Sequence, residues 1–216
     1  MVEDSQQDEQ AQQEPTSITA EGVMPQKKFY RLRAHCNPLS HNDTFDYPLS
    51  PSHMNWTESH YPQLAVGVVP DVLDIGCGFG GLTLALATLL PDNVILGLEI
   101  RSKVTEYVRL RIVASRKEHP GSFQNASVLR TNSMKYLSNY FPLHSTTKLF
   151  FCFPDPHFKR KNYGRRIISE QLLSEYSYIA LPTWNCTSGT CKSAISNHFS
   201  DVLMVRKWKR IPVWKQ

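Results

Sequence analysis

Between Asp71 and Leu90 the chain changes character twice. Asp71-Val72-Leu73-Asp74-Ile75 is a short run of the length of a buried strand, and Gly76-Cys77-Gly78-Phe79-Gly80-Gly81 follows it at once. Leu82 to Leu90 is then apolar enough to form a helix. Glycines adopt backbone conformations closed to other residues and let the main chain approach a ligand, while the following helix offers unpaired N–H groups. A strand, a glycine turn and a helix in this order make a nucleotide-type site.

The same alternation continues. Val94-Ile95-Leu96-Gly97-Leu98 reads as a second strand ending at Glu99, after a Pro91-Asp92-Asn93 turn. Arg101 to His119 reads as a helix, with Val104, Val108, Ile112 and Ser115 at three- and four-residue spacing. Ser127 to Arg130 is a third strand, Lys148 to Phe153 a fourth, and Ser169 to Ile179 an amphipathic helix carrying Leu172, Leu173, Tyr176 and Ile179 on one side. Strands alternating with helices predict an α/β protein: a parallel sheet with flanking helices and right-handed crossovers.

A G-x-G-x-G turn alone is a weak signal, because dinucleotide enzymes share it. Two details separate the alternatives. Gly76-x-Gly78-x-Gly80 lacks the two-residue gap before the last glycine of G-x-G-x-x-G, and Asp74 stands just before the turn. A carboxylate there repels a pyrophosphate but suits a ligand with ammonium and sulfonium centres, which describes S-adenosylmethionine. Glu99, 23 residues after Gly76, is placed to accept hydrogen bonds from ribose hydroxyls, or else to complement a helix N-terminus. Thr131-Asn132-Ser133 closes the third strand, where Asn132 either reads an adenine edge or simply forms a turn.

The fourth strand runs Phe150-Phe151-Cys152-Phe153 into Pro154-Asp155-Pro156-His157-Phe158-Lys159-Arg160. Proline on each side stiffens the turn that carries Asp155. In open α/β sheets ligands bind beyond the carboxyl ends of strands. An acid fixed there, followed by Lys159, Arg160, Lys161, Arg165 and Arg166, implies a polar reacting group beside a polyanion. The plainer reading of the five cations is a solvated basic loop.

Charge along the chain is uneven. Residues 1–23 carry six acids and no Lys or Arg, so the rest holds 24 Lys and Arg against 13 Asp and Glu, near +11 in a chain of +5. A basic body is compatible with nucleic acid and, equally, with a merely soluble surface. No 18-residue apolar run implies a membrane span, and the acidic, polar start lacks the pattern of a secretory signal. The five scattered cysteines fit a reducing compartment better than a disulfide framework, and no ligand spacing for a metal is evident. Four segments follow: a disordered acidic tail over 1–24, a basic-aromatic arm over 25–62, the ligand-binding domain over 63–180 and a divergent tail over 181–216. The arm is expected to pack in extended form, and its start, Lys27-Lys28-Phe29-Tyr30-Arg31, either contacts RNA or serves packing alone.

Taken together, Pro25 to His35, Asp74 to Gly81, Leu96 to Arg101, Gly121 to Asn125 and Phe151 to Lys159 resemble the catalytic subunit of the eukaryotic tRNA (guanine-N7)-methyltransferases. The resemblance covers roughly residues 25–180. It implies a class I, Rossmann-like methyltransferase fold, S-adenosyl-L-methionine as cofactor, and 7-methylguanosine formation in the variable loop of tRNA. It also implies a heterodimer with a non-catalytic WD-repeat subunit, and nuclear location. By motif match, Gly76, Glu99, Arg101, Asn132, Ser133 and Cys152 would contact the cofactor and Asp155 would be the catalytic acid.

Beyond Ala180 the resemblance stops. Leu181 to Gln216 matches nothing in the family pattern, so the last strands are expected to be missing or altered, although Asp201 to Val205 has the composition of one strand. Without further strands the one leading to Asp155 becomes an open edge. The guanine pocket and cofactor lid would also lose one wall, so the expectation is weak or no activity, and the alternative function is an inactive truncated isoform that binds tRNA or the WD-repeat subunit. A dinucleotide-dependent Rossmann-like enzyme stands further back.

Overall fold

The computed structural model describes residues 22–32, 36–40 and 44–182, together with the backbone of a strand at 202–205. Most of the acidic tail, Arg33 to His35, Cys186, Cys191 and the cations after Val205 lie outside the described residues.

Five parallel strands form one sheet in the order β3-β2-β1-β4-β5. They are β1 (Val72–Ile75), β2 (Ile95–Glu99), β3 (Ala126–Arg130), β4 (Lys148–Cys152) and β5 (Val202–Val205). The helices are α1 (Trp56–Ser59), α2 (Gly81–Leu89), α3 (Ser102–Glu118), α4 (Ser133–Tyr140) and α5 (Glu170–Ile179). Each strand predicted between Asp71 and Phe153 appears within about a residue of its expected bounds. The chain winds outward from β1 to β3 on one side, then crosses to β4 on the other. That reversal opens a crevice between the carboxyl ends of β1 and β4.

The period of two divides the sheet residues between two layers. Leu73, Ile75, Leu96, Leu98, Leu149 and Phe151 pack with Leu137, Tyr140, Leu172 and Tyr176 of α4 and α5, and with Trp56 and Tyr61. Val72, Ile95, Ala126 and Phe150 pack on the opposite side with Leu86 and Ala87 of α2. Both central strands are buried along their whole length. That burial explains why their sequences read as apolar runs rather than as alternation.

Two devices join the strand ends. Asp71 accepts from the Asn93 amide (2.6 Å), the Val94 N–H (2.8 Å) and the Thr147 hydroxyl (3.0 Å), which ties the starts of β1, β2 and β4 together. Asn125 directs its single Nδ2 at the carbonyls of Ala87, Leu90 and Asn93, at 2.9–3.2 Å, and so closes the C-terminal end of α2.

The expected open edge is corrected. Leu149 to Cys152 pairs with Val202 to Val205 in parallel register, so β4 is an interior strand whose second row of backbone groups is satisfied by β5. The arm also differs from a simple extended ribbon. It contains 3₁₀ turns at Lys27–Tyr30 and Pro51–His53 and the short helix α1. Tyr47 stacks on Tyr136 of α4 (4.1 Å between centroids), the Tyr140 hydroxyl donates to the Asp46 carbonyl (2.8 Å), and Trp56 stacks on Phe141.

A candidate cofactor and substrate cleft

The glycine turn after β1 adopts left-handed backbone at Gly76 (φ 75°), Gly78 (φ 55°) and Gly80 (φ 69°). Gly76 and Cys77 stay attached to the sheet, donating to the Leu98 carbonyl at 2.8 and 3.1 Å. Gly80 also packs against α3, where an added Cβ would come within 2.6 Å of a Val108 methyl. At Gly76 a Cβ would meet nothing within 4 Å, so its backbone faces open space.

That space is a cleft of about 260 Å³ at the β1/β4 reversal. Gly76, Glu99, Arg101, Asn132, Ser133, Cys152 and Asp155 all line it. So do Cys36 and Pro38 from the arm and His157 and Arg165 from beyond Asp155. The registers explain the convergence. Ile75 sits opposite Leu98 on one side and Phe151 on the other, so Gly76, Glu99 and Cys152 emerge side by side.

Glu99 is buried and its carboxylate accepts five hydrogen bonds. Oε1 takes the N–H groups of Ile100 (2.9 Å) and Arg101 (3.0 Å) and the Arg101 Nε (3.0 Å). Oε2 takes the Gly78 N–H (3.0 Å) and the Arg101 Nη2 (3.1 Å). Glu99 therefore does two things: it holds the glycine turn against the start of α3, and it faces the cleft through the edge now covered by Arg101. The hydrogen bonds to Glu99, ahead of the opposing cost of burial, raise the Arg101 pKa further.

Asn132 caps α4, accepting from the Met134 N–H (3.1 Å), while its Nδ2 donates to the Pro38 carbonyl (2.6 Å). Its side chain thus binds the arm to the rim of the cleft, and Lys135 Nζ adds a second tie to the Ser40 carbonyl (3.1 Å). Cys152 lies at the end of β4, its thiol pKa raised by burial and by the charge of Asp74.

Asp74 does not line the cleft, against the expectation that it would stand before a cationic ligand. It shares a strand face with Val72, two residues away, and therefore points toward α2. There it is 1% exposed and accepts from the Thr83 hydroxyl at 2.7 Å. Burial raises its pKa to about 6, against the hydrogen bonds from Thr83 and with help from the Glu99 charge. Gly97 leaves room for this pair, since a Cβ there would lie 2.9 Å from both Cys77 Sγ and Thr83 Oγ1.

Asp155 is exposed at the cleft, on a loop bounded by two non-glycine residues with left-handed backbone, Phe153 (φ 54°) and His157 (φ 43°). Such conformations are costly for residues with a Cβ and persist only where the surroundings impose them. Arg166 is one such brace, donating to the carbonyls of Pro156 (2.9 Å) and His157 (3.3 Å) while its guanidinium lies 3.6 Å from the Tyr163 ring centre. Of the five cations expected to meet phosphate, Arg166 is thus engaged with the loop itself. Lys159, Arg160 and Lys161 are exposed, and Arg165 turns to the cleft. Arg160 to Arg165 forms a 3₁₀ turn.

The start of the arm is divided between the two roles considered for it. Tyr30 packs edge-on to Tyr107 (5.6 Å) and Lys27 lies over Phe79 of the glycine turn (5.4 Å), whereas Phe29 is exposed. Cys36, Pro38 and His157 were missed as cleft residues, because irregular segments carry no periodicity that reports a facing direction.

A family described as "Putative methyltransferase" matches residues 69–183. The chain belongs to this methyltransferase family. Its matched segment contains β1 to β4, the strands whose ends border the cleft. Among curated proteins, the chain is 50% identical over 171 residues to a tRNA (guanine-N(7)-)-methyltransferase of Oryza sativa subsp. indica, covering 74% of this chain and 65% of that protein. It is 51% identical over 167 residues to the protein of that name in Caenorhabditis elegans, covering 76% and 64%. The chain thus spans just under two thirds of the length of these relatives.

The cleft of this methyltransferase family member fits S-adenosyl-L-methionine. Open glycine backbone, a carboxylate at the end of β2 and polar groups at the end of β3 suit a nucleoside carrying a charged amino-acid arm. Gly76, Glu99, Arg101, Asn132, Ser133 and Cys152 are the residues that would hold it. Among the described residues no cluster of three or more His, Cys, Asp or Glu side chains is placed to bind a metal ion.

Proposed function

We propose that this chain methylates N7 of a guanosine in tRNA, with S-adenosyl-L-methionine as donor. The observation that carries the reading is that Asp155 and the Gly76 turn line one cleft, beyond the carboxyl ends of two strands adjacent at the topological reversal. The similarity to relatives named tRNA (guanine-N(7)-)-methyltransferase directs the substrate to tRNA.

When bound, the donor supplies a methyl group made electrophilic by a positively charged sulfur. The protein's task is then placement. Guanine N7 already has a free lone pair, so no side chain has to remove a proton before attack. Asp155 accepts from the N–H groups on the guanine edge, fixes the ring's orientation and offsets the positive charge that develops on it. Glu99 would accept from the ribose hydroxyls of the donor in place of the Arg101 guanidinium that now covers it. The target base must leave its stack to enter a cleft of this depth. Lys159, Arg160, Lys161 and Arg165 hold the flanking phosphates. The variable-loop guanosine, the WD-repeat subunit and nuclear location belong to the same proposal and rest on the family resemblance. The inactive-isoform alternative rested on the loss of the family pattern after Ala180, with the β4 edge and one wall of the pocket; β5 pairs with that edge, and the similarity to relatives named tRNA (guanine-N(7)-)-methyltransferase favours the active reading.

The test is methyl transfer by the full chain, purified together with the proposed WD-repeat subunit, on an unmodified tRNA transcript. The expected product is 7-methylguanosine, identified by mass spectrometry after nuclease digestion. Methyl incorporation into any other nucleoside, or none, would contradict the proposal.

A further inference from the structure

We propose that Phe153 is the platform on which the target guanine stacks, an inference that rests on the methyl-transfer reading above. Phe150 and Phe151 lie in β4 and Phe153 follows its last residue, and only the first two are used by the core. Phe150 is 8% and Phe151 1% exposed, the latter packed against Tyr176 with centroids 5.0 Å apart. Phe153 is 52% exposed and lines the cleft.

Strand alternation would send Phe153 to the same side as Phe151, into the α4/α5 layer. The chain prevents this by adopting φ 54° at Phe153. That conformation is unfavourable for a residue with a Cβ, and more so immediately before a proline, which favours extended backbone. Two costs therefore coincide at one residue: a strained main chain and an apolar ring left in water. Core packing explains neither.

A purine explains both. An extruded base loses the stacking of its neighbours and needs an aromatic face to replace them. Phe153 is the sole Phe, Tyr or Trp among the described residues lining the cleft. Tyr163, the nearby aromatic on the following 3₁₀ turn, has its ring covered by Arg166. Asp155 follows two residues later, with Pro154 and Pro156 stiffening the link, so the acid that reads the guanine edge and the ring that supports its face are held at constant separation. A phenyl face is sequence-tolerant; in this arrangement Phe153 contributes affinity for an extruded base and Asp155 contributes the choice of guanine.

The experiment compares Phe153→Leu, Phe153→Tyr and wild type in the full chain purified with the WD-repeat subunit. It reads kcat/KM on a tRNA transcript, S-adenosylhomocysteine affinity and melting temperature. Stacking predicts that Phe153→Leu loses roughly ten- to a hundredfold in kcat/KM, that Phe153→Tyr restores most of it, and that cofactor affinity and melting are unchanged. Equal kcat/KM for the leucine variant overturns the inference while leaving the methyl-transfer reading intact. So does a loss matched by weaker cofactor binding or a lower melting temperature, which would make the ring structural. A loss on His157→Leu with none on Phe153→Leu moves the platform to the imidazole and also overturns it. A wild-type complex that forms no 7-methylguanosine overturns the reading itself, and the inference with it.

Discussion

Arg101 lies across the Glu99 carboxylate, with Nε 3.0 Å from Oε1 and Nη2 3.1 Å from Oε2. The remaining three donors on Glu99 are backbone N–H groups of the glycine turn and of the segment entering α3. The acid is therefore fixed by main chain on one side and covered by the Arg101 side chain on the other. A ribose diol presents two hydroxyl donors that can take the place of the guanidinium.

Glu99→Gln replaces an oxygen that accepts with an amide that donates, facing either Gly78 N–H or the Arg101 donors. Charge-assisted hydrogen bonds contribute about 1.5–3 kcal/mol each. S-adenosylhomocysteine affinity, measured by calorimetry, is expected to fall at least about tenfold. Unchanged affinity would remove Glu99 from the donor site.

Asn125→Asp conserves shape and reverses chemistry. Three carbonyls that now share an N–H₂ group would instead face a carboxylate. The expected destabilisation is about 2–4 kcal/mol, seen as a lower urea midpoint with no change in slope. This motif residue, at the end of the Gly121 to Asn125 segment, is thereby assigned to fold stability and not to the cleft.

Gly97→Ala would place a methyl 2.9 Å from Cys77 Sγ and Thr83 Oγ1, between β2 and the start of α2. Overpacking of this kind costs about 1–3 kcal/mol. Because Cys77 belongs to the glycine turn, cofactor affinity is expected to drop along with thermal stability. An alanine variant with wild-type melting and affinity would show that the turn can yield.

Two buried groups contribute to acid stability with opposite sign. Burial lowers the His60 pKa from 6.5 to about 4, so the folded state binds that proton less readily than the unfolded chain. Its contribution is whole above pH 6.5 and is lost as pH falls toward 4. Burial raises the Asp74 pKa from 3.8 to about 6, so that contribution is whole below 3.8 and lost as pH rises through 6. Between these limits the two offset each other. Asp74→Asn removes the second, so its urea midpoint is expected to fall more steeply than wild type from pH 6 to 4. Parallel curves would show that Asp74 titrates normally.

The parts of the fold that could be read in the sequence are those with strong local signals. Fully buried strands announce themselves as apolar runs, and the turns between them as Gly, Pro and Asn. Helix α4 carries a weak local signal, because Met134, Leu137, Tyr140 and Phe141 are spread through a polar stretch and its N-cap, Asn132, is equally a ligand-type residue at a strand end. Asp74 shows a different limit. Its place beside the turn is plain from the sequence, but its direction follows from strand alternation, which sends it toward Thr83 and away from the cleft. The arm shows a third: the segment with Cys36 and Pro38 is held at the cleft by long-range ties from Asn132 to Pro38 and from Lys135 to Ser40, which leave no pattern in neighbouring residues.

The central claim is that Asp155 acts on the purine and not on the donor. The most direct measurement is Asp155→Ala in the full chain, scored for 7-methylguanosine in tRNA and, in parallel, for S-adenosylhomocysteine affinity. The account predicts at least about a hundredfold loss of methyl transfer with affinity within about twofold of wild type. Methyl transfer that survives the substitution, or an affinity that falls with it, would contradict the claim.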